Sequence, residues 1–168
     1  MAVEEQTQHN DQYNPSVTGV VKLGQILTIS NRKVTKLGFW LVKIGAPTGD
    51  VTFEIRLYSD KTVIASQVAV SAASVATVAT YYEVEFTEPP TINAQVIICS
   101  SFNVAVITDA ILVRWQLTDV KADEWSIRYR QAAWGEYATY DTAYIYTYEG
   151  KKPGAAPMAA KLVSAGVI

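Results

Sequence analysis

The sequence predicts an all-β fold, a two-sheet antiparallel sandwich of roughly eight to ten strands, on three observations. From Thr18 onward, β-branched and aromatic residues recur in short runs bounded by Gly, Pro, Asn, Asp and Ser. Several runs alternate apolar and polar residues with a period of two, the pattern of a strand with one face on a core and one in water. Helical periodicity is almost absent. A chain of 168 residues is long enough to bury one core without disulfides or a structural metal, so a single domain is expected.

The elements follow in order. Residues 1–17 are expected as an N-terminal arm: the first fifteen are rich in Gln, Asn, Asp and Glu and order only if something holds them. The sandwich is expected over 18–150, with strands near 18–22, 25–30, 33–44, 50–58, 61–69, 80–87, 91–101, 110–118, 125–131 and 142–149. In 51–58, Val51, Phe53, Ile55 and Leu57 share the core face, and Thr52, Glu54, Arg56 and Tyr58 share the wet one. In 82–86 the same alternation turns Glu83 and Glu85 outward. Pro47 fixes φ and lacks an N–H, which puts 45–50 in a loop; Ser59-Asp60-Lys61 marks a short hairpin. The small residues of 70–80 predict a crossing between sheets with a helical turn. Residues 151–168 combine two prolines with apolar side chains and are expected as a C-terminal arm that docks on its own domain or on another subunit, with Pro153, Met158, Leu162, Val163, Val167 and Ile168 as the assembly residues in the second case.

Composition excludes several classes of function. Charged residues are 18% and apolar residues 49%, a balance that predicts apolar surface covered by a neighbouring subunit. The net charge of −2, with acids and bases mixed, offers no basic stripe to nucleic acid. The polar, acidic start MAVEEQTQHNDQYNP lacks a secretory signal's basic start and apolar core, and no apolar run reaches membrane-helix length, so neither export nor membrane partners are expected. Cys99, the single cysteine, lies in QVIICS and is expected as a buried small hydrophobe.

Chemistry is sparse. His9, the single histidine, sits in the expected arm, and no nucleophile elbow, phosphate loop, zinc motif or EF-hand occurs. Asp109, Asp119, Asp123, Glu124, Glu136 and Asp141 are the carboxylates that could pair for glycoside hydrolysis or bind Ca²⁺, but their turn-like positions are explained by local backbone bonding. No enzyme activity, cofactor or metal is therefore expected. Aromatic residues crowd the last third. Tyr144, Tyr146 and Tyr148 form a stripe on one strand face, a packing feature or a recognition surface, and Trp134 and Tyr137 stand in the loop-like AAWGEY, either as exposed contacts or as a hairpin tip folded onto the sheet.

The successions Lys33-Val34-Thr35-Lys36-Leu37-Gly38-Phe39-Trp40-Leu41, Pro47-Thr48-Gly49-Asp50-Val51-Thr52-Phe53-Glu54-Ile55-Arg56 and Ala79-Thr80-Tyr81-Tyr82-Glu83-Val84-Glu85-Phe86 resemble a jelly-roll β-sandwich domain. That domain recurs in tailed-phage and other viral structural proteins and in microbial surface modules. Tyr140-Asp141-Thr142-Ala143-Tyr144-Ile145-Tyr146 looks like its closing strand. The resemblance implies a jelly-roll winding and a non-enzymatic structural protein of a virus or virus-like particle, a capsid, decoration or tail component. Such a protein is made in the host cytoplasm and partners with itself or with other particle subunits. The alternative it implies is a carbohydrate- or receptor-binding module at an extracellular surface, with a glycan held by Trp134, Tyr137, Tyr144, Tyr146 and Tyr148.

Overall fold

A computed structural model describes residues 1–150. Its strands are β1 (Ala2–Gln6), β2 (Asp11–Tyr13), β3 (Gly19–Ile44), β4 (Asp50–Leu57), β5 (Val63–Ser71), β6 (Thr80–Glu85), β7 (Thr91–Val104), β8 (Ala110–Gln116), β9 (Trp125–Arg130), β10 (Ala133–Tyr137), β11 (Asp141–Thr142) and β12 (Tyr144–Gly150). All pair antiparallel. The segments expected as separate strands at 18–22, 25–30 and 33–44 are one continuous strand, β3, of 26 residues. No proline interrupts it, and its aliphatic residues favour extended backbone. What resembles a turn at Ser30-Asn31 is a bulge: the register against β7 shifts between Ile29 and Arg32, and Asn31 adopts φ 51°, a conformation asparagine tolerates.

The bulge lets β3 serve two layers. Its first half lies between β7 and β9, giving the order β10-β9-β3-β7-β4-β5. Its second half pairs with β6 on one side and with β12 and then β8 on the other, with β1 and β2 outermost. Hydrogen bonding is therefore one continuous twelve-stranded sheet among the described residues, not two separate sheets. The halves nevertheless face one another in a sandwich-like manner. Val21, Leu23, Leu27 and Ile29 from the first half of β3 share a buried core with Leu37, Phe39 and Leu41 from the second. Phe39 meets Phe53 of β4 edge to face, 5.0 Å between centroids, although their strands are not neighbours in the ladder.

Polar pins hold the layers in register. Asp141 is fully buried; it accepts from the Gln25 side chain and from the backbone N–H of Val120 (2.7 Å) and Lys121 (3.0 Å). Gln25 Oε1 in turn accepts from the Thr142 N–H at 2.8 Å, and the Thr142 hydroxyl donates to the Gly24 carbonyl at 2.7 Å. These bonds satisfy groups that would be costly to bury unpaired and fix β11 against β3.

Residues of the expected N-terminal arm are held by this same chain: β1 pairs with β12 from Ala2↔Tyr148 to Gln6↔Tyr144, and β2 pairs with β8. Pro47 lies in the β3–β4 connection, and Ser59–Lys61 turns the β4–β5 hairpin, with Asp60 Oδ1 accepting from the Thr62 N–H at 2.9 Å. The 70–80 crossing contains a single 3-10 turn, Ala72–Ser74. The C-terminal arm, 151–168, with Pro153, Met158, Leu162, Val163, Val167 and Ile168, lies outside the described residues.

Gly24 shows how closely β3 is flanked. A Cβ there would overlap the Ile98 carbonyl oxygen and stand 2.6 Å from Cys99 Cβ, so relief requires moving backbone. At Gly38 the three atoms nearest a Cβ all belong to the Tyr81 side chain, so relief requires moving a side chain and not backbone. Gly24→Ala is expected to destabilise the fold by more than the roughly 1–3 kcal/mol of ordinary overpacking, and Gly38→Ala by less. Urea midpoints of the two variants check the order.

Candidate functional site

Of the loop-like stretch 132–137, residues 133–137 form one arm of the β9–β10 hairpin, paired from Ala133↔Arg130 to Tyr137↔Ser126. The two tip residues, Gln131 and Ala132, have φ of 51° and 61°, the left-handed pair required by the tight two-residue turn whose twist matches that of its strands. Neither is the glycine or asparagine usually found there, so nothing in the sequence marks the turn. Strand alternation then separates the two residues expected to act together: Trp134 and Glu136 point to one face, and Ala133, Gly135 and Tyr137 to the other.

On the first face, Trp134 packs on its cross-strand partner Tyr129 at 5.1 Å, and the hairpin curls over the sheet towards β4. Glu136 joins the two sides, accepting from the Tyr58 hydroxyl at 2.8 Å and from Trp125 Nε1 at 3.0 Å. Beneath them lies a second small core of Ile26, Ile97, Ile127 and Cys99. The face of β4 expected to be wet is thus partly covered. Cys99 is fully buried, and that burial, with the Glu54 carboxylate nearby, pushes its thiol up to about 12.

Beside that core lies a buried ion cluster. Lys22 Nζ donates to both Glu54 oxygens (2.9 and 3.0 Å) and to the Ser101 hydroxyl (2.7 Å), while Arg56 Nε donates to Glu54 at 2.6 Å. Burial opposes the charge on Glu54, but the hydrogen bonds from Arg56 and Lys22 outweigh it and hold its pKa below the ordinary range.

On the second face, Arg128 and Arg130 stand opposite Gly135 and Ala133, with Tyr137 beyond. These residues and Gln131 line a shallow cleft of about 220 Å³, which Trp134 also borders although its ring packs with Tyr129 on the first face. The Arg128 guanidinium lies 4.0 Å from the Tyr137 ring centre and 5.4 Å from that of Tyr13, and Tyr137 stacks near-parallel on Tyr140. Neither arginine forms an ion pair among the described residues. The period-two spacing in Trp125-Ser126-Ile127-Arg128-Tyr129-Arg130 was the signal that could have placed both on one face.

The tyrosine stripe turns inward. Tyr144 and Tyr146 are buried and stack on each other, which removes them from any ligand-facing surface; only Tyr148 is half-exposed, under the Arg32 guanidinium at 4.2 Å. The Tyr144 hydroxyl donates to Glu124 at 2.5 Å, and Arg32 donates to the Tyr146 hydroxyl at 2.6 Å. Burial, ahead of the Glu124 charge, raises the Tyr144 phenol steeply; burial also pushes Tyr146 up to about 12. Burial raises Glu124 above the ordinary carboxylate range despite bonds from Tyr144 and Lys121. Of the other carboxylates, Asp141 and Glu136 are engaged as described, Asp119 and Asp123 stand exposed in the β8–β9 loop, and Asp109 closes a turn on Val106. Among the described residues, no three His, Cys, Asp or Glu side chains gather as metal ligands. No helix among them is long and apolar enough to cross a membrane.

No family model matches this chain, and no curated protein matches it.

Two predictions follow from the geometry. Because the pKa of Glu54 is lower folded than unfolded, its contribution is present above the ordinary glutamate pKa of about 4.3 and is lost as pH falls through the folded value. Urea titrations from pH 7 to pH 3 should show this acid limb, and Glu54→Gln should flatten it while costing about 3 kcal/mol at pH 7, since Lys22 and Arg56 lose their buried partner. At the hairpin tip, Ala132→Gly should raise stability by roughly 1 kcal/mol by removing left-handed strain. Thermal unfolding of that variant reads the gain directly.

Proposed function

We propose that this chain is a non-enzymatic structural subunit of a virus or virus-like particle, a capsid, decoration or tail component built by side-by-side association of its β domain. The observation that carries the reading is the outer edge of β5. Among the described residues this nine-residue strand, VIASQVAVS, pairs only with β4, and it contains no charge and no proline. Val63 and Val68 expose 42% and 51% of their surface. A long unpaired edge of this kind is a template for another strand, and proteins that must remain single blunt such edges with lysine, proline or strong bulges. Bulges in the β4–β5 ladder occur near its ends, at Val51/Thr52 and Ile55/Arg56, and leave the run Ala65–Val68 regular. A second copy presenting the same edge completes the ladder symmetrically.

The resemblance of the strand-and-turn pattern to jelly-roll domains of viral structural proteins supports the same reading, as does the low share of charged residues, 18%. Repetition of such a contact around a closed assembly makes each modest interface sufficient. An assembled particle component made in the host cytoplasm is the setting this implies.

The test is light scattering coupled to size-exclusion chromatography on the full-length chain across concentration. The expected result is a discrete oligomer that Val68→Lys converts to monomer with unchanged melting temperature, because two like charges then face each other across the new ladder. A wild-type monomer at every concentration would overturn the reading, and an oligomer indifferent to Val68→Lys would remove β5 from the interface.

A further inference from the structure

We propose that the cleft on the β9–β10 hairpin binds an acidic sugar, its carboxylate or sulfate held by Arg128 and Arg130 and its hydroxyls by Gln131 and Tyr137. The site stands apart from the assembly reading, because β10 and β5 are opposite ends of the ladder β10-β9-β3-β7-β4-β5.

Three observations converge. Two guanidiniums project on the same strand face, and no carboxylate among the described residues neutralises either; of the acidic residues nearest in sequence, Glu124 is occupied by Tyr144 and Lys121, and Glu136 points to the opposite face and is occupied by Tyr58 and Trp125. In a chain of net charge −2, such a pair of uncompensated cations on adjacent positions of one face is a local anion site and not part of a general basic surface. Arg128 is also pre-set: packed at 4.0 Å on Tyr137 and 5.4 Å from the Tyr13 ring centre, the guanidinium has less rotamer freedom to lose when it forms a forked pair with an anion.

The second observation is the space between them. Gly135 does not occupy a left-handed conformation, and a Cβ there would meet nothing closer than the Tyr137 hydroxyl at 3.5 Å, an ordinary contact. Neither backbone geometry nor packing within the chain requires a glycine in this strand, where glycine weakens pairing. Its lack of a side chain leaves the cleft floor open directly opposite Arg128. The third is the kind of wall. Gln131, at the strained tip, and Tyr137 supply donors and acceptors suited to hydroxyl groups, and at about 220 Å³ the cleft is small and open to solvent, better matched to one ring of an extended glycan than to an enclosed ligand.

Isothermal titration of the full-length protein with glucuronic acid, N-acetylneuraminic acid and a sulfated disaccharide tests this, with glucose, inorganic sulfate and a glutamate-rich peptide as controls. The expected result is that at least one acidic sugar binds, at least roughly tenfold more tightly than glucose or sulfate, and weakens with added salt. Arg130→Gln and Gly135→Val should each reduce that affinity roughly tenfold with melting temperature unchanged, the first by removing half of the anion clamp and the second by filling the cleft. The monomeric Val68→Lys protein should bind as the wild type does, whatever its assembly state. Failure of every acidic sugar to bind overturns the proposal, as does sulfate or the peptide binding as tightly as the best sugar, or an affinity untouched by both cleft variants.

Discussion

The two layers of this protein share a backbone, and most of its architecture follows from that constraint. Gly19–Ile44 is too long to lie in one layer of ordinary strands, and the bulge at Ser30-Asn31 redirects it without breaking the ladder. Every other strand attaches to one half of β3 directly or through one or two neighbours. Side chains on the inward face of both halves therefore meet across the core, and the contact of Phe39 with Phe53 is possible only because β3 has turned its second half over its first.

A fold organised in this way must settle its polar groups locally, since many of them lie where the layers bend or overlap. The Gln25–Asp141–Thr142 and Lys22–Glu54–Arg56 sets each bind strands distant in sequence, and the Tyr144–Glu124–Lys121 set ties the β8–β9 loop to β12. Buried pairs of this kind contribute little net stability against an apolar equivalent, but a slipped register would strand their charges, so they penalise every other alignment of the strands. Arg128 and Arg130 contrast with them, since neither meets a carboxylate among the described residues.

Strand character was legible in the sequence wherever alternation was clean. Val51, Phe53 and Ile55 are buried as their spacing requires, and Glu83 and Glu85 face outward. Alternation states which residues share a face but not what lies against it. Glu54 belongs to the polar face of β4 and is buried there, because a hairpin more than seventy residues later folds across that face. Tyr144, Tyr146 and Tyr148 share a face as expected, yet the first two are core, their hydroxyls met by Glu124 and Arg32 from other segments. The division of β3 into three strands followed from Gly24 and Ser30-Asn31, which read as punctuation; a bulge and a close strand approach use the same residues as a turn. Trp134 and Tyr137 were found as aromatics, but their separation onto opposite faces depended on a tight turn at Gln131-Ala132 that no customary turn residue announces.

The pairing of Ala2 with Tyr148 has a consequence for how this chain is made. β1 has its hydrogen-bonding partner in β12, the last strand described, and the long central strand lacks its β9 and β12 neighbours until they too emerge. While the ribosome is still at work, the nascent polypeptide exposes Val-, Ile- and Leu-rich ribbon with open sides and no local contact able to close them. The β3-β7-β4-β5 ladder can pair once β7 has emerged, whereas the β9 and β12 sides of β3 stay open longer, and that interval is when neighbouring nascent chains are best placed to capture one another.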